Sequence, residues 1–236
     1  MTRFHLNVLA ANLDNARQIA EVSEGRVLVG VIVKDFPTTE EAIEAVRSYQ
    51  AAGVKVSIGL GNGDARAWEK VYEVALATGP DHVNQVFPAA GYTLGGLRAK
   101  GFRDTIVNAL VRPSGTPGQV IVFTGPKSET YAETVSCDAA ATLLEDVGVS
   151  SVKFFPIQGA SRLDEIAEMV KACVRHGITT FEPTGGIDLD SFDKVVEVCV
   201  ANGAEHVIPH VYSSIIDKAT GNTRIEDVRE LLRRLG

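Results

Sequence analysis

The chain has 236 residues, 45% hydrophobic and 22% charged, with a formal net charge of −7 and no dense Lys/Arg cluster. That balance supports one large core and excludes the basic footprint of sequence-independent nucleic-acid binding. No stretch approaches the ~18 consecutive apolar residues of a membrane span. The first six residues lack the charged head and apolar run of a secretory signal, so a cytoplasmic protein with no nucleic-acid or membrane partner is expected.

In chain order, residues 12–20 read as a preliminary helix, an N-terminal extension covering the bottom of the domain. Short β-branched runs then alternate with amphipathic stretches to the end, the pattern that builds a parallel sheet from βα units. Eight runs are predicted as strands: residues 27–33, 54–58, 82–87, 105–111, 120–123, 151–155, 179–182 and 206–208. Eight strands close a barrel, so the fold class is α/β, a TIM (β/α)8 barrel with residues 1–236 as a single domain.

Between the first two runs, Thr38-Thr39-Glu40-Glu41 places capping and acidic residues at a helix start, and Gly53 stops that helix. Helices are also expected to end near Gly177 and Gly203. Residues 125–149 depart furthest from the repeat, with a helical portion at 139–144 between strands five and six. Residues 225–235 form a closing helix. Gly59-Leu60-Gly61-Asn62-Gly63 superficially resembles a dinucleotide turn but lacks the Gly-x-Gly-x-x-Gly spacing and a following acidic residue. Cys137, Cys173 and Cys199 are odd in number and without a Cys-x-x-Cys pair, which fits free thiols. No His/Asp/Glu set stands at ligand spacing, so neither a metal nor another cofactor is expected.

The chemistry concentrates in the last third. Ser151-Val152-Lys153-Phe154-Phe155-Pro156 holds one lysine inside an apolar strand. Lost hydration disfavours the ammonium and supplies the neutral amine that imine formation requires. The competing reading is a strand-edge charge reaching out to water. Strand alternation puts Lys153 and Phe155 on one face, with Val152 and Phe154 on the other. Pro183-Thr184-Gly185-Gly186-Ile187 then reads as a phosphate cradle or as an ordinary β-to-α turn. After strand eight, Pro209-His210-Val211-Tyr212-Ser213-Ser214 offers Ser213 and Ser214 as further hydroxyl donors.

The segments Val152-Lys153-Phe154-Phe155-Pro156 and Phe181-Glu182-Pro183-Thr184-Gly185-Gly186-Ile187 resemble the 2-keto-3-deoxy-6-phosphogluconate / 4-hydroxy-2-oxoglutarate aldolase family. The resemblance implies a class I aldolase with Lys153 as the Schiff-base lysine, Thr184 near the pyruvyl group, and Gly185 and Gly186 binding phosphate. It also implies a homo-oligomer, often a trimer. The family's catalytic glutamate and arginine on strand two have no counterpart in Ser57-Ile58-Gly59-Leu60-Gly61-Asn62, and its Gly-Gly-Ser after strand eight is replaced near Pro209-His210-Val211. The chain therefore resembles a divergent branch, of the type devoted to amino-sugar-acid breakdown.

Glu182 is the first candidate for carrying protons, followed by His210 and His82. Arg112 is a candidate clamp for the α-carboxylate or the partner of a surface acid. The expected ligand is a 2-keto-3-deoxy sugar acid phosphate, with 2-keto-3-deoxy-6-phosphogluconate giving pyruvate and glyceraldehyde 3-phosphate. The alternatives are 4-hydroxy-2-oxoglutarate cleavage to pyruvate and glyoxylate, and a non-catalytic sugar-phosphate-binding barrel.

Overall fold

The computed structural model describes residues 2–236; Met1, included in the sequence reading, lies outside the described residues. The fold is a (β/α)8 barrel of parallel strands with helices around it. Its strands are β1 (in two pieces, Arg3–Phe4 and Leu6–Leu9), β2 (Val27–Ile32), β3 (Val56–Gly59), β4 (His82–Val86), β5 (Ile106–Pro113), β6 (Ser151–Phe154), β7 (Thr180–Pro183) and β8 (His206–Val207). The first piece of β1 pairs with β8 and the second with β2, so one strand interrupted at His5 closes the ring.

Two sequence expectations are corrected. Residues 120–123 are not a barrel stave: Gln119–Ile121 turns back antiparallel on the end of β5 and pairs with Val135–Ser136, making a small outer sheet. The missing stave is β1, whose polar His5 and Asn7 break the apolar run that marks the other strands. The ring still has eight positions, but each run from residue 27 through residue 111 moves up one place.

Seven helices connect the staves and an eighth follows the last of them: α1 (Leu13–Ser23), α2 (Thr39–Ala51), α3 (Trp68–Thr78), α4 (Phe87–Ala99), α5 (Cys137–Asp146), α6 (Leu163–Arg175), α7 (Phe192–Ala201) and α8 (Ile225–Leu235). Side-chain caps set several starts, as when Thr38 Oγ1 accepts from Glu41 N at 3.2 Å and Ser136 Oγ from Ala139 N at 3.1 Å. Helix α1 is not a lid at the barrel bottom. It is the crossover from β1 to β2 and packs beside α8 and α2 in the helical ring, so α8 completes the ring and does not cap the far end.

Helix α6 shows why the ring holds. Ile166, Met169, Val170 and Cys173 recur at helical spacing and are all buried. Each such burial contributes roughly 2 kcal/mol. The same buried cluster takes in Val152, Phe154 and Phe181 from the sheet, fully or almost fully buried. The opposite strand faces point into a lumen that is strongly polar, with Asn7, Ser57, His82, Asn108, Ser151 and Glu182 all at 0% exposure. A lumen of that kind is stable only if its polar groups satisfy one another.

Candidate active site

At the C-terminal ends of the strands a cavity of about 740 Å³ is lined by Lys153, Asn84, Thr184, Gly185, Gly186, His210, Tyr212 and Ser213, among others. Reactive groups of such barrels gather at this end. A second cavity of about 790 Å³ opens at the opposite mouth around the His5–His206 pair and holds none of the residues selected from the sequence.

Lys153 projects into the lumen as its strand alternation predicts. Its Nζ donates to Asn84 Oδ1 at 3.0 Å, stands 3.4 Å from His210 Nδ1, and lies 5.9 Å from the centre of the Phe155 ring. Burial pushes its pKa down from 10.5 to about 8, against the opposing pull of the Glu182 charge. A substantial fraction of neutral amine therefore exists near neutrality.

Glu182 lies beneath the cavity floor and does not line it. Its two oxygens meet four donors: His82 Nε2 at 2.9 Å and Ser151 Oγ at 2.6 Å on Oε1, and His210 Nε2 at 2.8 Å and Asn108 Nδ2 at 2.7 Å on Oε2. Burial works to raise its pKa, but the charge and hydrogen bonds of His82 and His210 outweigh it, leaving Glu182 well below the usual range. A carboxylate so enclosed orients its neighbours. Glu182, the first candidate for carrying protons, is separated from the cavity by His210.

That orientation fixes the histidines. Because His210 Nε2 faces a carboxylate oxygen, its proton sits there and Nδ1 is left as an acceptor turned toward Lys153 and Tyr212. Burial, then the Lys153 charge, hold the His210 pKa down at about 3, so the ring is neutral at physiological pH. His82 is one step further from the cavity. Its Nδ1 meets Ser57 Oγ at 2.8 Å, and Ser57 accepts from Asn7 at 2.8 Å and Asn84 at 3.0 Å. Asn84 Oδ1, which holds the Lys153 amine, also accepts from Asn108 at 3.0 Å. One continuous network thus positions both the amine and the free His210 nitrogen.

Thr184, Gly185 and Gly186 line the same cavity. Thr184 Oγ1 donates to the Glu182 carbonyl at 3.1 Å. Gly185 and Gly186 have φ of +106° and +72°, and among the described residues their N–H groups have no hydrogen-bond acceptor. A Cβ would lie 3.1 Å from the Phe155 ring at Gly185 and 3.0 Å from Gly159 N at Gly186. Glycine is therefore needed at both positions of this cavity-lining turn, whose two N–H donors are free.

The remaining candidates divide. Ser213 reaches the cavity, whereas Ser214 does not line it; its hydroxyl donates to the Ile187 carbonyl at 2.8 Å and ties together the loops after β7 and β8. Arg112 is outside the Lys153 cavity too. It lines an adjoining cavity of about 580 Å³ that shares Lys34, Gly61, Asn62, Leu110 and Phe155 with the first. One of its terminal nitrogens donates to Phe123 O at 2.7 Å, while its buried Nε has no partner. The sequence reading missed Asn84, Lys34 and Tyr212. Asn84 sits two residues after His82 on the same strand face, and Tyr212 two after His210, which is the only local signal for either.

The sequence model of the KDGP aldolases matches residues 1–219. The chain is 43% identical over 231 residues to the 2-dehydro-3-deoxy-phosphogluconate aldolase of Salmonella typhimurium, an alignment covering 98% of this chain and 94% of that protein. Among solved structures, the tryptophan synthase α-subunit of Pyrococcus furiosus is similar with a TM-score of 0.60 at 14% identity, covering 100% of this chain and 99% of that one. N-(5'-phosphoribosyl)anthranilate isomerase from the same organism is similar with a TM-score of 0.58 at 14% identity, with 98% of each chain covered. At that identity the two structural likenesses concern the fold alone.

Proposed function

The chain belongs to the KDGP aldolase family and is a carbon–carbon lyase; we propose that it is a class I aldolase cleaving 2-keto-3-deoxy-6-phosphogluconate to pyruvate and glyceraldehyde 3-phosphate. Membership of an aldolase family sets aside the non-catalytic binding barrel. The observation that carries the mechanistic reading is Lys153, a half-buried lysine whose amine, pushed down to a pKa of about 8 by burial, ends in the cavity beside an acceptor nitrogen.

The neutral Lys153 amine attacks the C2 ketone, and His210 Nδ1 is close enough to move the protons that make and then dehydrate the carbinolamine. The resulting iminium withdraws electrons from the C3–C4 bond. Loss of the C4 hydroxyl proton lets that bond break, giving the aldehyde and an enamine; protonation at C3 and hydrolysis release pyruvate. Glu182 acts through His210, keeping its proton on Nε2 and compensating any positive charge the ring takes up.

The unpaired N–H groups of Gly185 and Gly186, with Ser213, support a seat for the phosphate. Lys34, which lines both cavities, and Arg112 beyond it supply positive charge for the α-carboxylate end. Exposed Tyr92, Leu143 and Val147 on α4 and at the end of α5 support the expected homo-oligomer.

The test is pyruvate release from three compounds: 2-keto-3-deoxy-6-phosphogluconate, its unphosphorylated analogue, and 4-hydroxy-2-oxoglutarate. The phosphorylated sugar acid is expected to give the highest kcat/KM. Faster cleavage of 4-hydroxy-2-oxoglutarate would transfer the assignment to that substrate, and no pyruvate from any of them would overturn it.

A further inference from the structure

We propose that Tyr212 is a catalytic residue, its phenol passing the substrate's C4 hydroxyl proton to His210 Nδ1. The proposal rests on the reading of Lys153 as the imine-forming residue. Tyr212 lines the Lys153 cavity, and its hydroxyl lies 2.9 Å from His210 Nδ1 and 3.2 Å from Asn7 Oδ1. Glu182 holds the His210 proton on Nε2 at 2.8 Å, so the phenol's single proton has two acceptors, His210 Nδ1 at 2.9 Å and Asn7 Oδ1 at 3.2 Å, and the shorter contact is the one assigned to the relay. Among the described residues no donor reaches the phenol oxygen itself. Its lone pairs therefore remain open toward the cavity, where a substrate hydroxyl can donate.

Geometry selects the C4 hydroxyl. Lys153 Nζ and Tyr212 Oη both lie against His210 Nδ1, at 3.4 and 2.9 Å, which limits their separation to about 6 Å. In an imine on Lys153 only three bonds separate C2 from the C4 oxygen, which places that oxygen roughly 4 Å from the nitrogen, given ordinary bond lengths. A C4 oxygen at that radius from the nitrogen is within hydrogen-bonding reach of the phenol.

The step balances without an external reagent. The C4 hydroxyl proton moves to the phenol oxygen as the phenol proton moves to His210 Nδ1. The released O–H pair forms the C4 carbonyl, the C3–C4 pair becomes the C2–C3 double bond, and the iminium π pair returns to nitrogen. Tyr212 begins and ends neutral, as it must, because burial and then the Glu182 charge both oppose a phenolate. The positive charge leaves the Lys153 nitrogen and appears on His210, whose Nε2 is already bonded to Glu182. Neutralising Lys153 also removes its charge from the influences that weaken His210 as a base, so the acceptor gains basicity as the bond breaks.

Tyr212→Phe keeps the ring and removes only the oxygen. Its imine with pyruvate, trapped on Lys153 by borohydride, is expected to form to the wild-type extent. Its kcat for aldol cleavage is expected to fall ~10²–10⁴-fold with KM changed by no more than a few fold. Wild-type kcat in this variant would overturn the proposal. So would failure of the folded variant to form the adduct, because the phenol would then act before carbon–carbon cleavage. Absence of an adduct in the wild-type protein would instead remove the Lys153 mechanism, and the proton relay with it.

Discussion

Lys153 and Glu182 are register partners on adjacent parallel strands, yet His210 separates their charges: its Nδ1 stands 3.4 Å from the amine and its Nε2 2.8 Å from the carboxylate. Among the described residues no direct ion pair joins the two. A direct pair would fix the lysine as ammonium; the intervening neutral ring leaves the amine free to lose its proton.

Glu182→Gln replaces an acceptor oxygen with a donor in a site that already supplies four donors. The folded protein is expected to lose about 2–4 kcal/mol in urea unfolding, since a buried donor is left without its partner. Its kcat is expected to fall as well, because His210 no longer has its tautomer fixed. A variant with full stability and activity would contradict the role given to Glu182.

Lys153→Met is expected to abolish cleavage and stabilise the protein at neutral pH. Folding lowers the lysine pKa from 10.5 to about 8, so the buried ammonium costs stability in full below pH 8. That cost shrinks as pH rises from about 8 and is gone above 10.5, where both states are neutral. Thermal melts at pH 7 are therefore expected to show a gain of about 1–3 kcal/mol for the variant, with little difference near pH 10.5. An unchanged difference across that range would argue against the burial cost.

The same amine is expected to govern the acid side of the reaction. The kcat/KM of the wild-type protein is expected to rise about tenfold per pH unit at low pH and level off near pH 8, as the neutral amine becomes the major form. A profile flat from pH 6 to 8 would show that another group sets the rate.

Alanine at Gly185 or Gly186 forces a Cβ into a positive-φ backbone within 3.2 Å of its neighbours. KM for the phosphorylated substrate is expected to rise at least ~10-fold, with a smaller change for the unphosphorylated analogue, because the loop's N–H donors turn away from the anion. Equal effects on both substrates would remove the phosphate from this loop.

Lys153 and the Thr184-Gly185-Gly186 turn were legible because each is a local anomaly: a charge within an apolar strand, and paired glycines at a strand end. The first stave was not. Residues 3–9 alternate lumen-facing His5 and Asn7 with outward-facing Leu6 and Val8, so no apolar run announces a strand. Residues 120–123 erred in the opposite direction, since an apolar run looks the same whether its strand pairs parallel in the barrel or antiparallel outside it. Asn84, Ser57 and Asn108 were invisible for a different reason. Their meaning arises only when three consecutive staves bring them to one layer of the lumen around Lys153 and Glu182.

An imine on Lys153 is tested by borohydride reduction in the presence of pyruvate followed by peptide mapping. A reduced pyruvyl adduct is expected, confined to the peptide containing Lys153 and absent from Lys153→Met. A folded wild-type protein that gives no adduct, or gives it on a different lysine, would rule out Lys153 as the imine-forming residue.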